Sequence, residues 1–171
     1  VVFFHINKTA GLTVRQILEN QYPPEQRFHV HDAAKNGPTL QDYLDLPDEE
    51  KARFRCLLGH MPYQIKQHQP TPVVYFAFFR EPIKRMISHY YWSISRENGI
   101  GKRIVNEQIS LADFLLSKDI TVQADNFQVR VLANDEMVKN NENIDMTQPC
   151  DQTMLEKAMD RLERQFRILC L

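Results

Sequence analysis

The feature that most constrains this chain is an unbroken apolar run, Val73–Phe79, that stops abruptly at Arg80-Glu81-Pro82. A strand with one wet face alternates apolar and polar residues. A continuous run therefore marks a strand covered on both faces, the central position of a mainly parallel sheet. Proline suits a first helical turn, and Ile83, Met86, Ile87, Tyr90 and Tyr91 follow at helical spacing. The chain opens on the same pattern. Val1–Ile6 is β-branched and aromatic, Asn7–Gly11 is a short polar turn, and Leu12, Val14, Ile17 and Leu18 predict a helix to about Asn20, closed by Tyr22-Pro23-Pro24.

Further strands are expected at Phe54–Leu58 and Phe166–Leu171, and further helices at Leu111–Leu116, Gln123–Leu132 and Thr153–Gln165. Arg27–Glu50 reads as a surface excursion with helix starts at Thr39 or Pro47. Arg96–Arg103 reads as a glycine-containing loop and Asn134–Gln148 as a polar connection. Strands alternating with helices predict an α/β fold with right-handed crossovers. The 171 residues are expected to form one domain, 1–171.

Lys plus Arg total 21 against 22 for Asp plus Glu, so the net charge of -1 offers nothing global to nucleic acid or an anionic membrane. Any anion site must be local. No apolar run approaches the roughly 18 residues of a membrane span, so none is expected in this segment. Cys56, Cys150 and Cys170 are scattered, without a CxxC pair, and are expected buried and reduced. His29-x-His31-Asp32 lacks a third ligand at convincing spacing, so no metal is expected.

In a parallel sheet, ligands sit outside the carboxyl ends of the strands, where each following helix presents free backbone N–H groups. Two turns carry matching chemistry. Asn7-Lys8-Thr9-Ala10-Gly11-Leu12-Thr13 combines a cation, hydroxyls and small residues that let backbone amides approach a phosphate. Its order differs from GxxxxGK[ST], because Gly11 follows Lys8, which disfavours a P-loop kinase. Arg80 ends the central strand and Ser88 lies eight residues on, so a guanidinium and a hydroxyl could hold a second phosphate.

FFHINKTAGLTV resembles the 5'-phosphosulfate loop of sulfotransferases that use 3'-phosphoadenosine 5'-phosphosulfate (PAPS), written H-I-P-K-T-G-G-T-S. FREPIKRMISHYYW resembles their 3'-phosphate motif, R-D-P-x-x-R-x-x-S. LLGHMPY and DNFQVRVLAN are similar to segments of the carbohydrate sulfotransferases, the heparan sulfate 2-O-sulfotransferase group and its bacterial relatives. The resemblance spans nearly the whole chain and implies a P-loop-like three-layer fold, a central mainly parallel sheet flanked by helices. The family usually continues into a T-E-x-F segment, so a chain truncated at its C-terminus is expected.

By the same resemblance, Lys8 binds the 5'-phosphosulfate and stabilises the departing oxygen. Thr9, Ala10, Gly11 and Thr13 supply amides and hydroxyls to that group, and Arg80 and Ser88 hold the 3'-phosphate. Asn7 stands where the family has proline, Ala10 where it has glycine, and Leu12 where it has threonine. Asn126 and Arg130 would share a helix face turned toward the nucleotide.

Transfer to a hydroxyl needs a base, and His60 is the candidate. An imidazole titrates in the right range, His60 follows a strand candidate, and the similar G-H segment carries a catalytic histidine. His5 is expected to be structural. The run His89-Tyr90-Tyr91-Trp92 is expected to be mainly helix core and partly a ligand wall, and Arg85 either adds charge to the site or lies on a solvated face.

The expected activity is sulfuryl transfer from PAPS to a saccharide or other hydroxyl-bearing acceptor, bound by the loops Arg27–Glu50 and Arg96–Asn106. A nucleotide-binding module without turnover is the alternative. Asn7-Lys8-Thr9 is also a glycosylation sequon that a glycan would turn into an obstacle, which favours a cytoplasmic location; the Golgi lumen would apply if an anchor had been cut away.

Overall fold

The computed structural model describes residues 1–30, 37–96, 99–116, 122–134 and 148–170. Five strands form one sheet: β1 (Val2–Phe3), β2 (Arg27–Val30), β3 (Cys56–Gly59), β4 (Tyr75–Phe79) and β5 (Phe166–Cys170), in the order β2-β3-β1-β4-β5. Each pairing between them is parallel. The helices are α1 (Gly11–Gln21), α2 (Leu40–Leu44), α3 (Asp48–Lys51), α4 (Pro82–Arg96), α5 (Gly99–Asn106), α6 (Leu111–Leu116), α7 (Phe127–Ala133) and α8 (Gln152–Gln165).

Both faces of the sheet are covered, and the two-residue period of a strand decides which side chain goes where. Phe3, Cys56 and Leu58 pack with Val14 and Leu18 of α1. Their neighbours Val2, Phe4 and Leu57, with Tyr75, Ala77 and Phe166, turn the other way to Phe127, Val131 and Leu132 of α7 and Ala158 of α8. That double coverage is why β1 and β4 read as continuous apolar runs. Each fully buried Phe or Leu contributes about 1.5–3 kcal/mol of transfer free energy, so these two layers hold the sheet together. A third cluster, Met86, Ile104 and Phe114, joins α4, α5 and α6.

Three expectations need correction. Arg27–Val30, expected within a surface excursion, is the edge strand β2, paired in register with β3. Its sequence RFHV carries little apolar signal because an edge strand has one partner and wet flanks. Arg27 also donates to the carbonyls of Glu19 (3.0 Å) and Tyr22 (2.5 Å), closing the C-terminal end of α1. The segment expected as a glycine loop contains α5 from Gly99 onward. There Gly101 lies so close to the Ser93 carbonyl of α4 that a Cβ would overlap it, so this glycine serves helix contact and not a turn. The helix expected over Gln123–Leu132 is broken: a 3-10 turn at Val122–Ala124 precedes α7, because Asn126 is left-handed (φ 48). Cys56 is buried and burial pushes its thiol up to about 11, while Cys150 is only partly buried. The side chain of Cys170, and residues 135–147 of the expected polar connection, lie outside the described residues.

Gly59 ends β3 with φ 120, and a Cβ there would overlap the Val30 carbonyl oxygen across the β2–β3 ladder. Gly59→Ala is expected to lower unfolding free energy by about 3 kcal/mol, combining strain and overpacking. Urea denaturation measures it, and a loss under about 1 kcal/mol would mean that the β2 edge yields.

His89 of α4 is buried between Trp92 and Phe114. Burial, reinforced by the charges of Arg85 and Lys8, pulls its imidazole from 6.5 down to about 4. Between those values the unfolded chain binds a proton that the folded chain refuses. Stability is therefore expected to fall as pH drops from about 6.5 to about 4, by about 3 kcal/mol in all. His89→Phe, which keeps the ring contacts and removes the titration, should flatten this slope in denaturant titrations run across that window.

Candidate functional site

The turn between β1 and α1 is built from backbone conformation. Lys8 (φ 71) and Ala10 (φ 64) both take the left-handed form, flanking Thr9. Left-handed residues alternating with others turn successive N–H groups toward one point, an anion-binding arrangement. For Ala10 that conformation costs about 1–2 kcal/mol, a strain the surrounding turn must overcome. Thr9 is fully buried and its hydroxyl donates to the Ile6 carbonyl at 2.8 Å. It staples the turn, and what it can offer a ligand is its amide. Helix α1 then begins with no side-chain cap and no acidic residue in its first turn. The amides of Gly11, Leu12 and Thr13 precede the first intrahelical bond, from Val14 N to Ala10 O. Gly11 is buried against the His5 ring, closely enough to exclude a Cβ, and Thr13 is exposed.

Beside this cradle lies the end of β4. Because β1 and β4 are adjacent and parallel, their C-terminal turns are neighbours, and an Arg80 guanidinium N–H donates to the Lys8 carbonyl at 3.4 Å. The Lys8 ammonium stands 5.0 Å from the Trp92 ring centroid, and Arg96 flanks the same ring at 6.0 Å. Burial, then Arg80 and Arg96, lower the Lys8 pKa from its ordinary 10.5. Ser88 sits within α4, half-buried, two turns beyond Arg80. The N-terminus of α4 differs from that of α1: the Glu81 carboxylate accepts from the amides of Ile83 (3.0 Å) and Lys84 (2.7 Å).

His60 lies on the other side of the cradle. Its Nδ1 is 3.0 Å from the His5 carbonyl oxygen, which can only accept, so Nδ1 is the donor in this bond. Its ring stacks on His5 (centroids 4.3 Å apart), and His5 stacks in turn on Phe3 at 5.4 Å. The structural role expected of His5 is thus also a role in holding His60. Alternation along β1 from the core residue Phe3 was the available signal. A cavity of about 110 Å³ lies here, lined by His5, His60, His29, Arg15, Gly11 and Leu12 among others. Glu19 of α1 bonds Arg15 at 2.8 Å and lies 3.8 Å from His29.

Other expectations place differently. Arg130 is buried on α7, bound to the Asp125 carboxylate (2.5 Å) and the Gln148 carbonyl (2.9 Å), and so braces the fold. Arg85, neither on a solvated face nor open to the cradle, is buried, and its guanidinium donates to the Gln123 side chain (2.9 Å) and backbone (2.6 Å). The aromatic run divides by helical period: His89 is buried, Tyr90 donates to the Ile109 carbonyl (2.9 Å), Tyr91 is exposed, and Trp92 borders Lys8. His31 and Asp32 lie outside the described residues, among which no group of three His, Cys, Asp or Glu stands close enough for a metal ion. Nor, among them, is any helix long and apolar enough to cross a membrane.

No curated protein and no solved structure matches the chain significantly. A family model does, that of the sulfotransferase family, over residues 1–169. With an uncapped cradle beside a paired arginine turn in an all-parallel α/β sheet, and this match over nearly its full length, the chain belongs to the sulfotransferase family.

Proposed function

We propose that the protein moves a sulfuryl group from PAPS to a hydroxyl of a carbohydrate acceptor. One observation carries the reading: the Arg80 guanidinium reaches the Lys8 carbonyl, so two cationic turns front one site. A nucleotide with phosphates at its 5' and 3' positions has matching charge at matching ends. The residues suit those ends. The uncapped start of α1 offers amides to the phosphosulfate, and Arg80 with Ser88 offers side-chain donors to the 3'-phosphate.

In this reading His60 Nε2 takes the proton of the acceptor hydroxyl while that oxygen forms its bond to sulfur. The His5 carbonyl holds the imidazole in the tautomer that can accept. The Lys8 ammonium and the amides of the turn receive the negative charge that collects on the bridging oxygen as its bond to sulfur breaks. Adenosine 3',5'-bisphosphate leaves, the acceptor carries the sulfate, and His60 returns its proton to solvent. Lys8 is suited to this because its depressed pKa reflects burial and crowding by Arg80 and Arg96. An arriving anion relieves that crowding.

Lys8→Ala is expected to cut turnover by about 10²–10³-fold, the usual loss for one electrostatic stabiliser. His60→Ala should abolish transfer and leave bisphosphate affinity within about twofold, since it is assigned to the acceptor's proton and not to the nucleotide. Both are read by sulfate transfer from labelled PAPS to a panel of saccharides. Unchanged turnover in either variant removes that residue from the mechanism, and tight bisphosphate binding with no transfer to any acceptor would leave a nucleotide-binding module.

Arg80→Ala is expected to weaken adenosine 3',5'-bisphosphate binding by about 10–100-fold, the loss of charge-assisted hydrogen bonds. Calorimetric titration measures it, and an unaltered affinity would refute the 3'-phosphate assignment.

A further inference from the structure

Arg80 lies one residue beyond the last ladder pair of β4, Phe79 with Cys170. A residue just past a strand end has lost its ladder partner, so its backbone direction, and with it the aim of its side chain, must be set by something else. Here a side chain replaces the missing strand. The Gln128 amide donates from Nε2 to the Arg80 carbonyl (2.9 Å), and its Oε1 accepts from the Arg80 N–H (3.2 Å). Both backbone groups of one residue are thus held by one amide, the two-bond pattern that a neighbouring strand would supply.

Gln128 is itself well anchored. It sits in the first turn of α7, whose residue Phe127 is buried beneath the Arg85 guanidinium, 5.0 Å from the ring centroid. Arg85 also donates twice to Gln123, just before α7, and Arg130 ties α7 to Asp125 and Gln148. Arg85 belongs to α4, the helix that carries Ser88. The two groups assigned to the 3'-phosphate therefore take their positions from the same short helix: Arg80 through Gln128, and Ser88 through the docking of α4 by Arg85. The helix-start amides of α4 cannot substitute, because Glu81 already engages those of Ile83 and Lys84.

We propose that Gln128 is a positioning residue that sets the protein's selectivity for a nucleotide bearing a 3'-phosphate. The inference rests on the PAPS reading above. It assigns Gln128 no contact with the nucleotide; the side chain acts through the aim of Arg80.

The test is calorimetric titration of the full chain with adenosine 3',5'-bisphosphate and, separately, with adenosine 5'-monophosphate, which lacks the 3'-phosphate. Gln128→Met keeps the side-chain length and removes both hydrogen bonds. Gln128→Asn keeps the amide one methylene too short to reach, and serves if the Met variant does not fold. In either variant the bisphosphate dissociation constant is expected to rise about 10–100-fold, and the monophosphate constant to stay within about twofold. An unchanged ratio of the two constants overturns the inference and leaves the PAPS reading standing. An equal loss for both nucleotides also overturns it, since that is the behaviour of a residue that merely supports the fold. A wild-type protein with no preference for the bisphosphate overturns the PAPS reading, and the inference with it.

Discussion

The parallel pairing of β1 with β4, Val2 beside Tyr75 and Phe3 beside Phe76, is the constraint on which the site depends. The chain leaves β1 toward β2 and β3 on one side, then crosses over β1 to lay down β4 and β5 on the other. Connections diverge at this point of the sheet, leaving a crevice beyond the strand ends. Neighbouring strands are about 4.8 Å apart, so the turns after β1 and β4 cannot avoid each other. Had β3 been interposed, Arg80 could not reach the Lys8 carbonyl, and the two turns would be separate surface features.

The charge at that crevice does not follow from the protein's overall balance of -1. Lys8, Arg80 and Arg96 are drawn together by the fold, and burial first, then the two neighbouring arginines, lowers the Lys8 pKa. Arg85 meets only neutral acceptors among the described residues, Gln123 and the Met86 sulfur, and burial lowers its pKa to about 10. Burying a cation without a carboxylate is costly. The bonds of Arg85 to Gln123 offset part of that cost and dock α4 against the turn before α7. Lys8 and Arg80, by contrast, border the open turn, where donors already in place need little reorganisation to meet an anion.

What could be read from the residues alone is what double-sided burial imprints on them. β1, β3, β4 and β5 and the helices α1, α4, α6 and α8 carry apolar periods strong enough to place, and the turns Lys8–Thr13 and Arg80–Ser88 lie at their junctions. β2 escaped because His29 and Phe28 are only half-buried on an edge, where alternation is too short to register. α5 escaped because glycine signals a turn in the absence of tertiary contact, whereas Gly101 answers to the Ser93 backbone. The Thr9 hydroxyl and the guanidinium groups of Arg85 and Arg130 had the right chemistry for ligand binding, yet each is bonded inside the protein. Residue type gives a group's capacity to bond; only packing decides on which side that capacity is used.

The two ends of the proposed nucleotide site are built by opposite means, and the difference follows from their caps. At α1 the start of the helix is left open, so backbone amides fixed by the strained turn of Lys8 and Ala10 form the binding surface. At α4 the Glu81 carboxylate closes the helix start, which leaves recognition to the side chains of Arg80 and Ser88. Backbone donors are rigid and suit a group whose charge shifts during reaction, where preorganisation counts most. A guanidinium suits a phosphate that only needs to be recognised, because its planar fork matches the oxygens of a fixed anion. Side-chain recognition is accurate only if the side chain is aimed, and Arg80 stands where the β4 ladder has ended. The open cap at one end thus draws its donors from the backbone of its own turn, whereas the closed cap at the other makes recognition depend on α7 through Gln128, 48 residues beyond Arg80.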